Sequence, residues 1–160
     1  MKKSTQHSQL MLNLNSRLFI NALEDVTEAQ AAERISDHNN PINWMATHTA
    51  WARFNMLALL GKPVPNPYQG MFEDAKPYDS NEAYPALDDV KTEWNRATQL
   101  LETALNEVSE EHLNAEAPMK NPTGDFSFGG TIAFLAQHES YTIGQLAFMK
   151  KYATKEAMKY

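Results

Sequence analysis

Two histidines, His48 and His138, are the residues of this chain whose surroundings favour chemistry. His138 belongs to the stretch QHESYTIGQL, which has the pattern of a helix. At about 100° per residue, Thr142 and Gln145 fall within roughly 60° of His138, on the apolar side of that helix. An imidazole in such a position can bind a metal ion or make hydrogen bonds in a protein core.

His48 occupies the same kind of position on another predicted helix, with Trp44 and Asn55 on the same side. Two inward histidines on two helices could meet inside one bundle, where helical proteins build metal sites. The alternative is that each imidazole is a hydrogen-bonded core residue, the commoner role of a partly buried histidine. Both interpretations stay open at this point. The remaining histidines, expected at the surface, are His7, His38 and His112.

Composition excludes several other kinds of site. The chain has no cysteine, which excludes disulfides, cysteine-ligated zinc, iron–sulfur clusters and a cysteine nucleophile. The glycine patterns of phosphate loops and dinucleotide sites are missing, and no G-x-S-x-G motif occurs. The net charge of −6 argues against a nucleic-acid partner. The acidic pairs at 88–89 and 110–111 lie on polar faces, where we expect them to be solvated, and the three tryptophans are expected in the core.

Length and patterning favour one soluble domain. A chain of 160 residues can bury a sizeable core without disulfides. No apolar region follows the N-terminal MKKSTQHSQ as in a signal peptide, and no run approaches the roughly 20 apolar residues of a membrane span. We therefore expect a single domain over residues 1–160 in the cytoplasm, without a membrane or nucleic-acid partner.

Four predicted helical segments must hold these side chains in place. They run over about residues 6–26, from Asn40-Pro41 to Gly61, from about Pro85 to Leu113, and from after Gly129-Gly130 to about Tyr152. Apolar residues recur in each at spacings of three and four, which is helical periodicity. The first segment carries Leu10, Leu14, Leu18 and Ala22 at four-residue steps. Thr27 and Gln30 match a capping box that opens a short helical turn to about Arg34.

Two stretches between these segments are predicted loops. GKPVPNPYQGMFEDAKPYDS, residues 61–80, holds four of the eight prolines and cannot be regular helix or central strand. NAEAPMKNPTGDFSFGG, residues 114–130, is also typical of a loop. No alternating pattern predicts a strand. The sequence therefore predicts an all-α four-helix bundle with long loops between helices 2 and 3 and between helices 3 and 4.

The order of these motifs resembles the DinB-like superfamily, also called DinB/YfiT-like proteins, over nearly the whole chain. The resemblance rests on NPINWMATH at 40–48, GKP at 61–63, a tryptophan-bearing third helix and HESYTIGQL at 138–146. It implies a four-helix bundle, commonly a homodimer, with a zinc or nickel ion held by three histidines from helices two and four. Characterised relatives are thiol-dependent S-transferases that use bacillithiol or mycothiol, and a mycothiol-dependent maleylpyruvate isomerase.

Carried over by position, the resemblance implies that His48 is the helix-two metal ligand and His138 the first helix-four ligand. Thr142 stands where the family has its second helix-four histidine. A catalytic zinc usually keeps three protein ligands, and a hydroxyl is a poor substitute for imidazole. We therefore expect no cofactor, or a weakly held zinc or nickel ion. The pocket residues expected around the site are Trp44, Asn55, Tyr141 and Gln145.

Two hypotheses follow from the altered ligand set. The favoured one is a metal-free member of the fold that binds a small molecule or has a structural role, with His48 and His138 as hydrogen-bonded core residues. The alternative is a divalent-metal-dependent thiol S-transferase or hydrolase, in which water, Thr142, Asn55 or a loop carboxylate such as Asp74 or Asp79 completes the ligand set. No residue is assigned a catalytic role.

The side of the fourth segment opposite His138 predicts an assembly. Ala136, Ser140 and Ala147 lie there, and small residues at this spacing allow a second helix to approach closely. The charged residues Glu139, Lys150 and Lys151 are expected off the inner stripe. The alternative is that the first or third segment of the same chain covers this side. We expect a homodimer about a two-fold axis, which the family resemblance also implies.

Overall fold

The computed structural model describes residues 5–160, in which six α-helices and no strand are present. The helices are α1 (Gln6–Leu23), α2 (Glu28–Ala32), α3 (Ile42–Leu59), α4 (Leu87–Glu107), α5 (Glu110–Asn114) and α6 (Phe128–Thr154). The long helices α1, α3, α4 and α6 enclose one hydrophobic core, so the predicted all-α four-helix bundle is confirmed. The first four residues of the MKKSTQHSQ stretch lie outside the described part. No helix between residues 5 and 160 is long and apolar enough to cross a membrane.

Side-chain contacts between helices define the topology. Asn15 of α1 contacts Ala136 of α6, and Lys150 farther along α6 reaches the end of α1, so these two helices are parallel. Contacts from Arg53 to Thr98 and from Lys62 to Glu107 run in the same sense between α3 and α4. Between α3 and α6 the sense is opposite, since Arg53 contacts Glu139 and Leu59 lies with Phe128 in one groove, so the order is up, down, down, up. The two parallel middle helices require the long crossover between residues 60 and 86.

The first helix differs from its prediction in length and in its buried face. It ends at Leu23 rather than near residue 26, because the backbone turns extended at Glu24 and left-handed at Asp25. Leu10 and Leu14 are 52% and 42% exposed, whereas Leu18 and Ala22 are buried. Four-residue steps advance by about 40° more than a full turn. The predicted stripe therefore winds from solvent into the core.

Local capping signals explain the ends of α2 and α3. The predicted capping box is present, since Thr27 Oγ1 accepts from the Gln30 amide and the Gln30 side chain accepts from the Thr27 amide. At the end of α3, Gly61 adopts a φ of 73°, and its amide donates to the Ala58 carbonyl. This is the glycine-terminated helix end that the sequence predicts. The start of α3 differs by one residue, because Pro41 rather than Asn40 is the N-cap.

The third predicted segment is two helices. Val108 is extended, which ends α4 and separates it from α5. The hydroxyl of Ser109 then accepts from the His112 amide and caps α5. A serine followed by two glutamates is typical of the start of a helix, and the prediction of one continuous helix did not take it into account.

The fourth helix begins before its glycine pair and not after it. Ser127 is the N-cap, and its hydroxyl accepts from the Gly130 amide at 3.0 Å. A Cβ at Gly130 would collide with Asp125. Gly130 is therefore a point of close approach inside the first turn of α6. The helix ends at Thr154, where Lys155 is left-handed.

Candidate functional site

A cavity of about 820 Å³ opens between α3, α6 and the α2–α3 loop. His48 and His138 both line it, and so do Trp44, Tyr141 and Gln145. The remaining lining residues are Ile35, Ser36, His38, Asn39, Asn40, Met45, Ser140, Thr142, Gly144, Phe148 and Met149. A volume in this range suits a small organic molecule.

His48 lies among aromatic rings in the wall of this cavity. Its ring stacks on Trp44 with centroids 5.1 Å apart and planes 5° from parallel. Phe72, a buried residue of the α3–α4 loop, meets the imidazole edge-on at 5.2 Å, and Trp51 lies at 5.5 Å. This burial lowers the pKa of His48 from 6.5 to about 4, and the neighbouring His138 lowers it in the same direction. At neutral pH the imidazole is therefore uncharged.

His138 faces His48 from the opposite helix. The two ring centroids are 6.2 Å apart and the planes are inclined by 66°. Phe134, one turn earlier on α6, lies 6.1 Å from the His138 ring. The structure thus brings the two sequence-predicted histidines together at one cavity wall, each with an aromatic neighbour.

Thr142, where the family resemblance implies a further histidine, follows His138 by one turn of α6. It is buried, and its hydroxyl donates to the backbone carbonyl of His138 at 3.1 Å. Its proton is thereby used inside α6, although the oxygen can still accept a hydrogen bond. Within residues 5–160 no three His, Cys, Asp or Glu side chains are grouped so as to hold a metal ion. The two imidazoles at this cavity do not form the three-histidine ligand set that the resemblance implies.

Comparison with known proteins places the chain in a family. Residues 11–146, a span that contains both histidines, match the family model of the DinB superfamily. The chain belongs to the DinB superfamily. Its structure is similar to the crystal structure of a conserved protein from Enterococcus faecalis, with a TM-score of 0.71 at 16% identity, over 98% of this chain and 100% of that chain. At this identity the likeness shows a common fold. No functionally curated protein matches this DinB-superfamily chain.

Three residues considered for the site lie elsewhere in this DinB-superfamily bundle. Asn55 does not line the cavity and belongs to a separate groove farther along α3, where its side-chain oxygen accepts from Asn66. Asp74 and Asp79 are exposed on the α3–α4 loop, away from the cavity lining. The sequence places Asn55 beside His48 in the pocket, whereas in the structure it lies two turns farther along α3 and lines the neighbouring groove.

The α2–α3 loop is a part of the site that the sequence did not reveal. Five of its six residues from Ile35 to Asn40 line the cavity, among them the exposed His38. Arg34 holds the loop closed, since its Nε donates to the Asn39 carbonyl at 2.7 Å. The side-chain oxygen of Asn39 accepts from the Ser36 amide. Such short polar bonds give no periodic signal, so only the polar composition of residues 36–40 hinted at a turn.

His112 was expected at the surface, and this prediction is wrong. Its ring is half-buried, stacks on Phe128 at 4.2 Å and bonds the Leu59 carbonyl at 2.7 Å. The histidine thereby satisfies a carbonyl at the end of α3 and joins α3, α5 and α6. The tryptophan prediction holds in full only for Trp94, which is completely buried, whereas Trp44 and Trp51 are half-buried at the cavity and the groove.

Glu139, the neighbour of His138, points inward and forms a buried ion pair. Both its oxygens accept from Arg53 of α3, at 2.9 Å from Nε and 2.6 Å from Nη2. The guanidinium also donates to Ser16 and Thr98, and it lies 3.5 Å from the ring centre of Trp94. The prediction that Glu139 lies off the inner face is wrong. This pair joins α3 to α6 directly behind the two histidines.

The side of α6 that carries Ala136 is packed against α1. Ala136 is completely buried, and its carbonyl accepts from Asn15 at 3.2 Å. Ser140 donates to the Asn15 side-chain oxygen at 3.0 Å. Lys150 is buried too, and its ammonium donates to the Glu24 carbonyl at the end of α1. The surface around Ala136 is therefore not available to a second chain, which corrects the expected interface.

Proposed function

We propose that this DinB-superfamily chain binds a small, uncharged organic molecule in the cavity at His48 and His138. The observation that carries the proposal is the chemistry of the lining. Aromatic and aliphatic residues alternate with hydroxyl, amide and imidazole groups, and none of the lining residues is Lys, Arg, Asp or Glu. An apolar concavity with a few convergent polar groups is the usual form of a small-molecule site.

The polar groups define what the ligand must present. The side-chain amides of Gln145 and Asn40 carry both a donor and an acceptor, and the Thr142 oxygen offers an acceptor position. Trp44 offers a flat wall, since it is stacked on His48 at the edge of the cavity. A neutral ligand with a planar or aliphatic part and a hydrogen-bonding group matches these features. A phosphorylated ligand would have no arginine or lysine to pair with in this lining.

The matched probes phenol and phenyl phosphate test this proposal, because they share a ring and differ in charge. We expect phenol to shift the Trp44 indole N–H signal in an NMR titration, and phenyl phosphate to leave it unchanged. Phe148→Ala removes an exposed cavity side chain and should weaken phenol binding, whereas Phe126→Ala, an exposed residue outside the lining, should not. Equal responses to the two probes, or equal effects of the two variants, would refute the proposal.

The second candidate is a divalent-metal-dependent thiol S-transferase or hydrolase with an altered ligand set. The observation in its favour is that two imidazoles from different helices lie 6.2 Å apart, centroid to centroid, at one cavity wall. Metal analysis of protein purified without a histidine tag distinguishes the candidates. About one equivalent of zinc or nickel per chain would favour the metal-dependent one, since a functional metal site is filled stoichiometrically.

A further inference from the structure

A second concave surface, an apolar groove of about 410 Å³, lies on the same side of the bundle as the cavity. It runs between the C-terminal half of α3 and the N-terminal half of α6. Its lining is Trp51, Ala52, Asn55, Ala58, Leu59, Pro118, Met119, Phe128 and Leu135. The amide of Asn55 is its one side-chain amide, and the Asn55 oxygen is already bonded to Asn66. The groove therefore offers apolar contact with little hydrogen bonding.

The groove and the large cavity are neighbours along α3 and α6, and both border a small space between the two helices. A gap of about 10 Å³ between α3 and α6 shares His138 and Thr142 with the large cavity. The same gap shares Ala52 and Leu135 with the apolar groove. Leu135 lies one turn before His138 on α6, and Trp51 lies one turn after His48 on α3. The three spaces thus follow one seam between the two helices.

We infer that the ligand of the cavity is elongated, with an uncharged polar head at His48 and His138 and an apolar tail that lies over Leu135 in the groove. This inference rests on the proposed function and names the ligand class further. The groove reaches about 15 Å beyond His138, because Phe128 is ten residues earlier on a helix that rises about 1.5 Å per residue. An extended alkyl or arylalkyl chain fits this length and this lining.

Primary alkyl amides of increasing length, from butanamide to decanamide, test the inference because only the tail changes. Their dissociation constants are measured by NMR titration under one set of conditions. Each methylene that enters the groove should tighten binding about fourfold, the value for burying one CH₂ group. The gain should stop once the groove is filled.

A pair of matched variants locates the tail. Ala58 is an exposed residue of α3 in the groove lining, and Ala133 is an exposed residue of α6 outside both linings. Ala58→Glu places a carboxylate against the tail, so its loss of affinity should grow with amide length to about tenfold or more for decanamide. Ala133→Glu adds the same charge on a helix surface and should show no such dependence on length.

The possible outcomes separate the inference from the proposed function. Absence of binding by butanamide, decanamide and phenol alike would remove both. Binding without dependence on tail length, or equal effects of Ala58→Glu and Ala133→Glu, would leave the cavity as a site and overturn the inference. A change in oligomeric state caused by Ala58→Glu alone would assign the groove to a second copy of the chain and would also overturn it.

Discussion

His48 owes its low pKa to the aromatic rings that surround it. Trp44, Phe72 and Trp51 exclude water from the imidazole, and the neighbouring His138 lowers the pKa of His48 further. A neutral imidazole keeps a lone pair that can accept a hydrogen bond from a ligand. The sequence alone did not determine that His48 is neutral, since a solvent-exposed histidine keeps its ordinary pKa.

The low pKa of His48 predicts a pH-dependent stability. The folded state binds the proton with a pKa of about 4 and the unfolded state with about 6.5. The free energy of unfolding is therefore highest above pH 6.5 for this group and falls as the pH drops from 6.5 towards 4, by up to roughly 3 kcal/mol. Urea unfolding of the wild type and His48→Gln across this range measures the effect. The free energy of unfolding of the wild type, relative to that of His48→Gln, should fall on acidification. If the two free energies change in parallel with pH, the low pKa is not that of His48.

Thr142 predicts a gain of metal affinity by substitution. Thr142→His places imidazoles four residues apart on one face of α6, opposite His48 of α3. Three imidazole ligands are a usual zinc set, so the variant should bind Zn²⁺ or Ni²⁺ at least about tenfold more tightly than the wild type in calorimetric titration. Gln137→His, which adds a histidine on an exposed position of the same helix, is the matched control. Equal affinities of the two variants would mean that the cavity cannot assemble the three-histidine site.

At the scale of helices, the Arg53–Glu139 pair sets the position of α3 against α6. Arg53 is completely buried and Glu139 is 3% exposed, and the guanidinium is bonded on all sides by Glu139, Ser16, Thr98 and the Leu12 carbonyl. Glu139 follows His138 directly, so the same bonds that hold the pair also hold the cavity wall. Each of these two buried charges has the other as its counter-charge.

Glu139→Gln should destabilise the protein by about 3–5 kcal/mol, because it leaves the buried guanidinium without a counter-charge. The double variant Arg53→Met/Glu139→Leu should recover most of this loss by replacing the pair with apolar side chains. Glu107→Gln serves as the control, since the Lys62–Glu107 pair is about half exposed on both sides and should contribute less than about 1 kcal/mol. Urea unfolding of the four proteins provides the measurement. If the double variant is no more stable than Glu139→Gln, apolar side chains cannot replace this ion pair.

At the scale of the whole molecule, an exposed aromatic stripe on α6 replaces the expected small-residue patch. Tyr141, Phe148 and Tyr152 lie on one side of the helix and are 63%, 67% and 50% exposed. The small residues around Ala136 are instead enclosed by α1. Large exposed aromatic residues in a row are typical of an interaction surface. The homodimer remains a prediction, and we expect its interface at this stripe instead of at the surface around Ala136.

The dimer prediction has a matched pair of variants. Tyr152→Glu places a charge in the aromatic stripe, and Tyr160→Glu places the same charge at a terminal residue that is 87% exposed. If the stripe forms a two-fold interface, each dimer receives two opposed carboxylates from Tyr152→Glu and should dissociate. Light scattering should then give a dimeric mass for the wild type and Tyr160→Glu and a monomeric mass for Tyr152→Glu. A monomeric wild type would remove the prediction.

Local patterns in the sequence were sufficient for the bundle and for part of its site. Helix periodicity, the Thr27–Gln30 capping box and the glycine stop at Gly61 act within a few residues, so they can be read without the fold. The apolar sides of two helices likewise indicated that His48 and His138 point inward, and the structure places both at one cavity. The end of α1 and the break between α4 and α5 were missed, because a turn at Asp25 and a cap at Ser109 compete with periodicity over only a few residues.

Tertiary structure alone decided which chain segments cover each helix. The partner of Glu139 lies 86 residues away on α3, and the residue that covers Ala136 lies 121 residues away on α1. His38 reaches the cavity only because the α2–α3 loop folds over it. One helix fixes which side chains share a face, but the neighbour of that face depends on long-range packing and on the path of the connections. The sequence of one helix therefore does not determine whether a carboxylate such as Glu139 finds a buried partner. Nor does it determine whether a patch of small residues is exposed.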